Sequence, residues 1–297
     1  VGADWSLLSA MFLPAPRAHF GMVVAHPGNS LVAQDARFIY VLGGQENSTD
    51  APGGSAKVFR AAVNSVSGVV DQWTELGTPL PEPLVGPAAT IFNGHIYVVG
   101  GLRPNGTPSN AVYTAAVQPD GTLSAWATST NPYPTSIAFA TAFGFAGRLY
   151  VTDGDTQNST DPNAQSAAGV KDVRFAPARN GVVATWTAGA STIKQRRQHI
   201  TWSAFGQVIN AGGIYEGSPG SLELERSVVN SDGTLQSWNG ITSTVNQIGA
   251  NVYNAAAVVS PLQSPTAKPR FLLLGGQTFA AAPPGILTAA VYYNSAP

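Results

Sequence analysis

The amino-acid sequence predicts an all-β chain built from five repeats, on three observations. A β-rich run ending in a glycine pair recurs along the whole chain. A glycine five residues before a tryptophan follows each of the first four runs. Glycine and proline are frequent, 32 and 22 of 297 residues, which supplies turns while staying below the roughly 25–30% typical of disordered low-complexity chains.

In chain order the runs are Phe38-Ile-Tyr-Val-Leu-Gly43-Gly44, His95-Ile-Tyr-Val-Val-Gly100-Gly101, Arg148-Leu-Tyr-Val-Thr-Asp153-Gly154, Gln207-Val-Ile-Asn-Ala-Gly212-Gly213 and Arg270-Phe-Leu-Leu-Leu-Gly275-Gly276. Their last glycines, Gly44, Gly101, Gly154, Gly213 and Gly276, are 57, 53, 59 and 63 residues apart. Short apolar runs bounded by glycine are buried strands. The third copy departs by placing Asp153 where a glycine stands elsewhere.

The second marker is Gly68/Trp73, Gly121/Trp126, Gly181/Trp186 and Gly233/Trp238. Two copies are nearly identical, Asp120-Gly-Thr-Leu-Ser-Ala-Trp126 and Asp232-Gly-Thr-Leu-Gln-Ser-Trp238. Asp-Gly between apolar segments is a hairpin signal, because both residues tolerate positive φ.

An apolar strand ending in Gly-Gly, a tyrosine-bearing strand, a tryptophan and a Pro-x-x-Arg-like turn together resemble kelch repeats. The best turn is Leu13-Pro-Ala-Pro-Arg17-Ala-His19. Val112-Tyr113 and Val291-Tyr292 supply the strand tyrosine, with Phe59, Phe175 or Arg226 nearby in the other copies. The resemblance covers residues 1–297 as a single domain. It implies a five-bladed β-propeller of four-stranded antiparallel blades, strands A (innermost) to D. In the second repeat these are about Pro87–Asn93, His95–Gly100, Ala111–Gln118 and Leu123–Ser129. The chain starts at Val1–Trp5 as a D strand and ends at Ala290–Tyr293 as a C strand. The N-terminal strand then completes the C-terminal blade and closes the ring, which leaves no open edge.

Composition narrows the function. Lys+Arg number 15 and Asp+Glu 16, a net charge of −1. That balance excludes the basic surface that nucleic acid requires and a polybasic membrane patch. The absence of cysteine excludes disulfides, thiolate metal sites and thiol nucleophiles. No apolar stretch reaches the length of a membrane-spanning helix. Val1 in place of Met, with only 10% charged residues, suggests a signal peptide removed before Val1 and a secreted or cell-surface protein.

The inner-strand segments 19–26, 86–94, 137–146, 199–206 and 249–260 contain no Asp, Glu, Lys or Arg. A propeller glycosidase needs two carboxylates beside its channel, and a galactose-oxidase-like site needs a cysteine. The expectation is therefore a non-catalytic module that makes protein–protein contacts or self-associates in a surface assembly or filament. A lectin-like, carbohydrate-binding propeller is the alternative, and a kelch-type sugar-modifying enzyme the third. No cofactor is expected.

Antiparallel order sends the B–C and D–A loops to one end of the propeller. Arg17, His19, Arg103, Tyr133, Arg196, Arg197, His199, Tyr215 and Glu216 map there. Guanidinium forks and aromatic rings suit a glycan or an extended acidic or polar peptide. The alternative is that these groups bond the backbones of neighbouring blades. Asp153, Asp155 and Asp161 form the densest run of oxygen ligands and a candidate calcium loop, although it lacks the glycine and the bidentate glutamate of a standard one. The alternative reading of the same acids is exposed inter-blade salt bridges to Arg196 and Arg197, worth about 0–1 kcal/mol. The sequons at Asn47, Asn105 and Asn158 follow the glycine pairs of repeats 1 to 3 and are candidate glycosylation sites. The marker tryptophans are expected to pack between blades, with Trp202 exceptional on an inner strand. The insertions His26–Arg37 and Ser260–Lys268 are candidates for a lateral contact.

Overall fold

A computed structural model describes residues 13–25, 37–46, 53–64, 69–159, 169–204, 206–214, 224–241, 252–253, 256–260, 270–274, 277–278, 285–286 and 291–294. Among these there is no helix, and every strand pairing is antiparallel. The first sheet contains β1 (Gly21–Ala25), β2 (Arg37–Leu42), β3 (Val58–Val63) and β4 (Thr74–Glu75). The second contains β5 (Ala88–Phe92), β6 (His95–Val99), β7 (Val112–Ala116) and β8 (Ala127–Thr128). The third has β9 (Thr141–Phe145), β10 (Arg148–Thr152) and β11 (Val173–Arg179), with both β12 (Val182–Val183) and β13 (Thr187–Ala188) on β11. The fourth has β14 (Ile200–Ala204), β15 (Gln207–Ala211), β16 (Leu224–Val228) and β17 (Asn239–Ile241).

Beyond these, β18 (Val252–Tyr253), β21 (Gln277–Thr278) and β22 (Gly285–Ile286) pair with one another. A fifth meander joins β19 (Ala256–Ser260), β20 (Arg270–Leu274) and β23 (Val291–Asn294). The first strand of each sheet packs on the first strand of the next, β1 on β5, β5 on β9, β9 on β14 and β14 on β19. The expected N-terminal D strand and residues 26–36 and 261–268 of the two insertions lie outside the described residues.

The second strands are largely apolar, as suits a strand whose two faces are both covered. In β6, Ile96 to Val99 are all fully buried. By contrast β1 alternates, with Val23 and Ala25 buried but Met22 and Val24 about half exposed. Each core cluster draws on two consecutive sheets. Tyr40 and Leu42 pack with Ile96 and Val98, Tyr97 and Val99 with Leu149 and Val151, and Tyr150 and Phe175 with Val208 and Trp238.

Both sequence markers are junction devices. The Tyr40 hydroxyl donates to the Gly121 carbonyl at 2.7 Å, and Tyr150 to Gly233 at 2.6 Å. These two tyrosines, on the second strands of their sheets, thus reach the marker glycine of the next repeat. Gly121 has φ +78°, and a Cβ there would lie 2.6 Å from the Phe38 ring, so a side chain is disfavoured by both conformation and space. The indole N–H groups of Trp126, Trp186 and Trp238 donate back to the carbonyls of Thr78, Asn131 and Ala190. The tryptophans therefore pack between sheets as expected.

Candidate functional site

The site is built on the turns that lead into the first four sheets. His19, Gly86, Phe139 and Gln198 occupy the same turn position, with φ of 51°, 63°, 54° and 53°. Their backbones form a chain across the sheets. Gly86 N–H donates to His19 O at 2.7 Å, Phe139 to Gly86 at 2.8 Å and Gln198 to Phe139 at 3.0 Å. Three non-glycine residues hold a left-handed conformation, which costs roughly 1–2 kcal/mol each, and each one contributes to this chain. The His19 ring rests edge-on against Phe139, with centroids 5.6 Å apart.

Behind this belt, each turn docks a side chain onto the third strand of a sheet. In the register, Phe59, Tyr113, Arg174 and Glu225 are equivalent, opposite Val41, Val98, Val151 and Asn210. The sequence reading named Phe175 and Arg226 as lying near this position. The register assigns it to the preceding residues, Arg174 and Glu225, and a one-residue shift on a strand reverses the face. Arg17 stacks over Phe59 at 4.9 Å. Tyr113 donates to Glu82 at 3.0 Å. Tyr133 donates to Asp172, the partner of Arg174, at 3.1 Å. Arg196 pairs with Glu225 at 2.9 Å.

Arg17 and Arg196 are equivalent, each giving Nη1 to the first glycine carbonyl of its repeat, Gly43 at 2.6 Å and Gly212 at 2.7 Å. Arg103 bonds Glu82 at 2.9 Å, Pro108 O and Ser109. Burial works against ionisation of Glu82, but bonds from Ser109, Arg103 and Tyr113 outweigh it and hold the carboxyl below its ordinary value. Burial, then Glu82, pushes the Tyr113 phenol up to about 12. Burial likewise raises Tyr133, reinforced by Asp172.

Among the described residues, buried ionisable groups concentrate at the junction of the third and fourth sheets, alongside the apolar cluster of that junction. This seam brings together Asp153, Asp155, Arg196, Arg197 and His199, all buried. Glu225 accepts Arg196 and the N–H groups of Ile193 and Lys194, each at 2.9 Å. Arg197 pairs with Asp155 at 3.0 Å with both side chains buried, and its guanidinium faces the Phe139 ring at 5.6 Å. The Asp–Arg bridge anticipated from sequence is thus an interior pair, worth far more to break than the exposed pair first envisaged.

Asp153 stands at the first-glycine position with φ 53°. Thr192 donates to one carboxyl oxygen at 2.5 Å and Asn210 to the other at 3.2 Å. Complete burial raises its pKa well above the ordinary carboxyl range, against the lowering effect of the Thr192 bond and Arg196. Burial, then Arg196, lowers His199 to about 3. His199 is therefore uncharged at neutral pH, and the 3.8 Å approach of its Nε2 to Asp153 is not an ion pair. The same Nε2 meets Thr141 Oγ1 at 2.9 Å and Thr152 Oγ1 at 3.2 Å. Thr201 touches Thr141 and donates to Asn210 at 2.7 Å. A carboxylate–histidine–hydroxyl relay needs its partners on opposite ring nitrogens. Here both lie on Nε2, so this geometry serves cohesion.

Asp153 and Asp155 direct their carboxyl groups to different partners. Among the described residues, no three His, Asp or Glu side chains stand together as a metal site would require. Asn105 and Asn158 are exposed. Tyr215, Glu216, Asp161 and Asn47 lie outside the described residues. Trp202 is buried on β14. Sequence reasoning missed Glu225, Glu82 and the threonines. Glu225 was legible only by correct alignment with Tyr113, and the threonines carry no local motif.

No family model matches the chain. It is similar to beta-scruin of Limulus polyphemus, 35% identical over 107 residues that make up 34% of this chain and 10% of that protein. Alpha-scruin of the same organism is 31% identical over 103 residues, 33% of this chain and 10% of that protein. The match thus spans about a tenth of the length of these curated relatives. The solved structure of YjhT superposes with a TM-score of 0.64 over 90% of this chain and 74% of that one, at 14% identity, a likeness of fold alone. At this coarse level, the repeat and fold likenesses support a kelch-type, propeller-like chain.

Proposed function

We propose that the protein is an extracellular, non-catalytic kelch-type propeller that makes protein–protein contacts in a surface assembly or filament. The carrying observation is how the polar groups at the loop end are used. Arg17, Arg196 and Arg197 are each engaged in bonds within or between sheets, and Asp153 and His199 are buried against Thr192, Asn210, Thr141 and Thr152. The ionisable side chains hold the repeats together, and binding falls to the weakly charged outer surface. Similarity to segments of the scruins is in keeping with a module of a larger assembly. The same proposal includes a ring of five blades, closed by the N-terminal strand. It is supported by the serial packing of β1, β5, β9, β14 and β19 and by the three strands of the fifth meander.

The test is cross-linking of the intact chain to the surface fraction of its source, with mass-spectrometric mapping of the linked residues. Saturable cross-links from the outer surface to one protein, or to a second copy, are expected. Saturable hits on a glycan array without a protein partner would replace this function with the lectin-like one, and turnover of a sugar would replace it with an enzyme.

A further inference from the structure

We propose that Asn105 is an N-glycan acceptor, so that the loops above the second and third sheets form a sugar-bearing sector from which protein partners are excluded. Asn105-Gly106-Thr107 is a complete sequon. The structure adds three observations. Asn105 is exposed. Its side-chain carbonyl accepts both the Thr107 hydroxyl at 2.7 Å and the Thr107 N–H at 3.1 Å. No described residue accepts a bond from its Nδ2. The carbonyl end is thus fixed by the residue that the sequon requires, and the amide nitrogen faces outward.

The same turn occurs at Asp120 and Asp232, whose Oδ1 atoms accept the hydroxyls and N–H groups of Thr122 and Thr234. At the other end of the sheets the chain uses a carboxylate for this geometry; above the second sheet it uses an amide. Exposed Asn158 adjoins the Asn105 turn, since Ser159 N–H donates to Gly106 O at 2.8 Å. In the transfer, Nδ2 forms a bond to the anomeric carbon of a lipid-pyrophosphate-linked oligosaccharide. The lipid pyrophosphate leaves, and the amide proton passes to base.

The inference rests on the extracellular reading. The chain, secreted from a glycosylating eukaryotic host behind that host's leader, is expected to carry a glycan at Asn105 by intact mass and amidase digestion. Asn105→Gln and Thr107→Ala are each expected to abolish it. Asp120→Asn, which keeps the turn and completes a sequon with Thr122, is expected to gain one. A bare Asn105 in folded, secreted protein would overturn the proposal. In native material, a bare chain at the cell surface would overturn the glycan alone, whereas a chain confined to the cytoplasm would overturn the extracellular reading.

Discussion

Glu225 sits in the fourth sheet at the register position that Tyr113 fills in the second. Both meet the turn leading into a sheet, but Tyr113 offers a hydroxyl to Glu82 whereas Glu225 brings a buried charge to Arg196. Removing one member of a buried pair strands the other, at about 3–5 kcal/mol. Glu225→Ala should cost at least that much in urea denaturation, and the apolar pair Arg196→Met with Glu225→Leu should recover only part of it, because the Ile193 and Lys194 N–H groups and the Gly212 carbonyl still lose their partners. Glu46→Ala should cost distinctly less, because Glu46 is one-third exposed beside Arg17. Equal losses at the two sites would refute this ranking.

The tyrosine–glycine link between sheets predicts a graded series. Tyr40→Phe and Tyr150→Phe each delete a hydroxyl bonded to a carbonyl of the next repeat, a loss of about 1 kcal/mol each. The Tyr97 hydroxyl faces the Gly181 backbone without completing a hydrogen bond. Tyr97→Phe should therefore be nearly neutral. Equilibrium unfolding of the three single variants tests the order, and a Tyr97 effect as large as the others would contradict it.

These links mark what the sequence made legible. Glycine pairs, second-strand tyrosines and marker tryptophans recur because the described junctions reuse similar backbone and ring contacts, so periodicity exposed the sheets and their order. The seam was visible only in part. Arg196, Arg197, His199 and the two aspartates stood out as polar residues near turns, but sequence does not show whether such groups face water. Their burial follows from two sheets meeting at Thr141, Thr152, Thr201 and Asn210, residues that in isolation resemble any strand or loop. Arg226 was legible only as near the tyrosine position, and Glu225 was missed, because strand register is fixed by pairing across the sheet and proximity along the chain does not reveal it.

His199 and Asp153 predict opposing pH effects. The imidazole titrates near 3 in the folded protein against an ordinary 6.5. The unfolded chain therefore binds a proton first on acidification, and this site loses stability as pH falls from about 6.5 towards 3. The slope approaches roughly 1–1.5 kcal/mol per pH unit. Asp153, with its pKa raised in the fold, works the other way, retaining a proton that the unfolded chain releases above its ordinary value. His199→Gln removes the first effect alone. Between pH 6.5 and 4.5 the wild type should lose stability relative to this variant, read as a shrinking difference in urea midpoints. Midpoint curves that stay parallel would show that His199 does not titrate differently on unfolding.

Met22 and Val24 test whether the ring closes. Both project from β1 on the side opposite Val23 and Ala25, which pack towards the second sheet, and they are 50% and 48% exposed. At the following junctions this side of the first strand is met by a preceding sheet, as β5 is by β1 and β9 by β5. In a closed five-bladed ring the fifth meander covers the Met22 side, and a carboxylate placed there loses its water without gaining a partner. Met22→Asp and Val24→Asp should then each destabilise the chain by about 2–3 kcal/mol or more. Val182→Asp, at a site 70% exposed beside the β11–β12 turn, should stay within about 0.5 kcal/mol as an ordinary surface change. Three equally mild variants would mean that β1 faces solvent and the arc stays open. A large loss at positions 22 and 24 alone would assign that face to the closing blade.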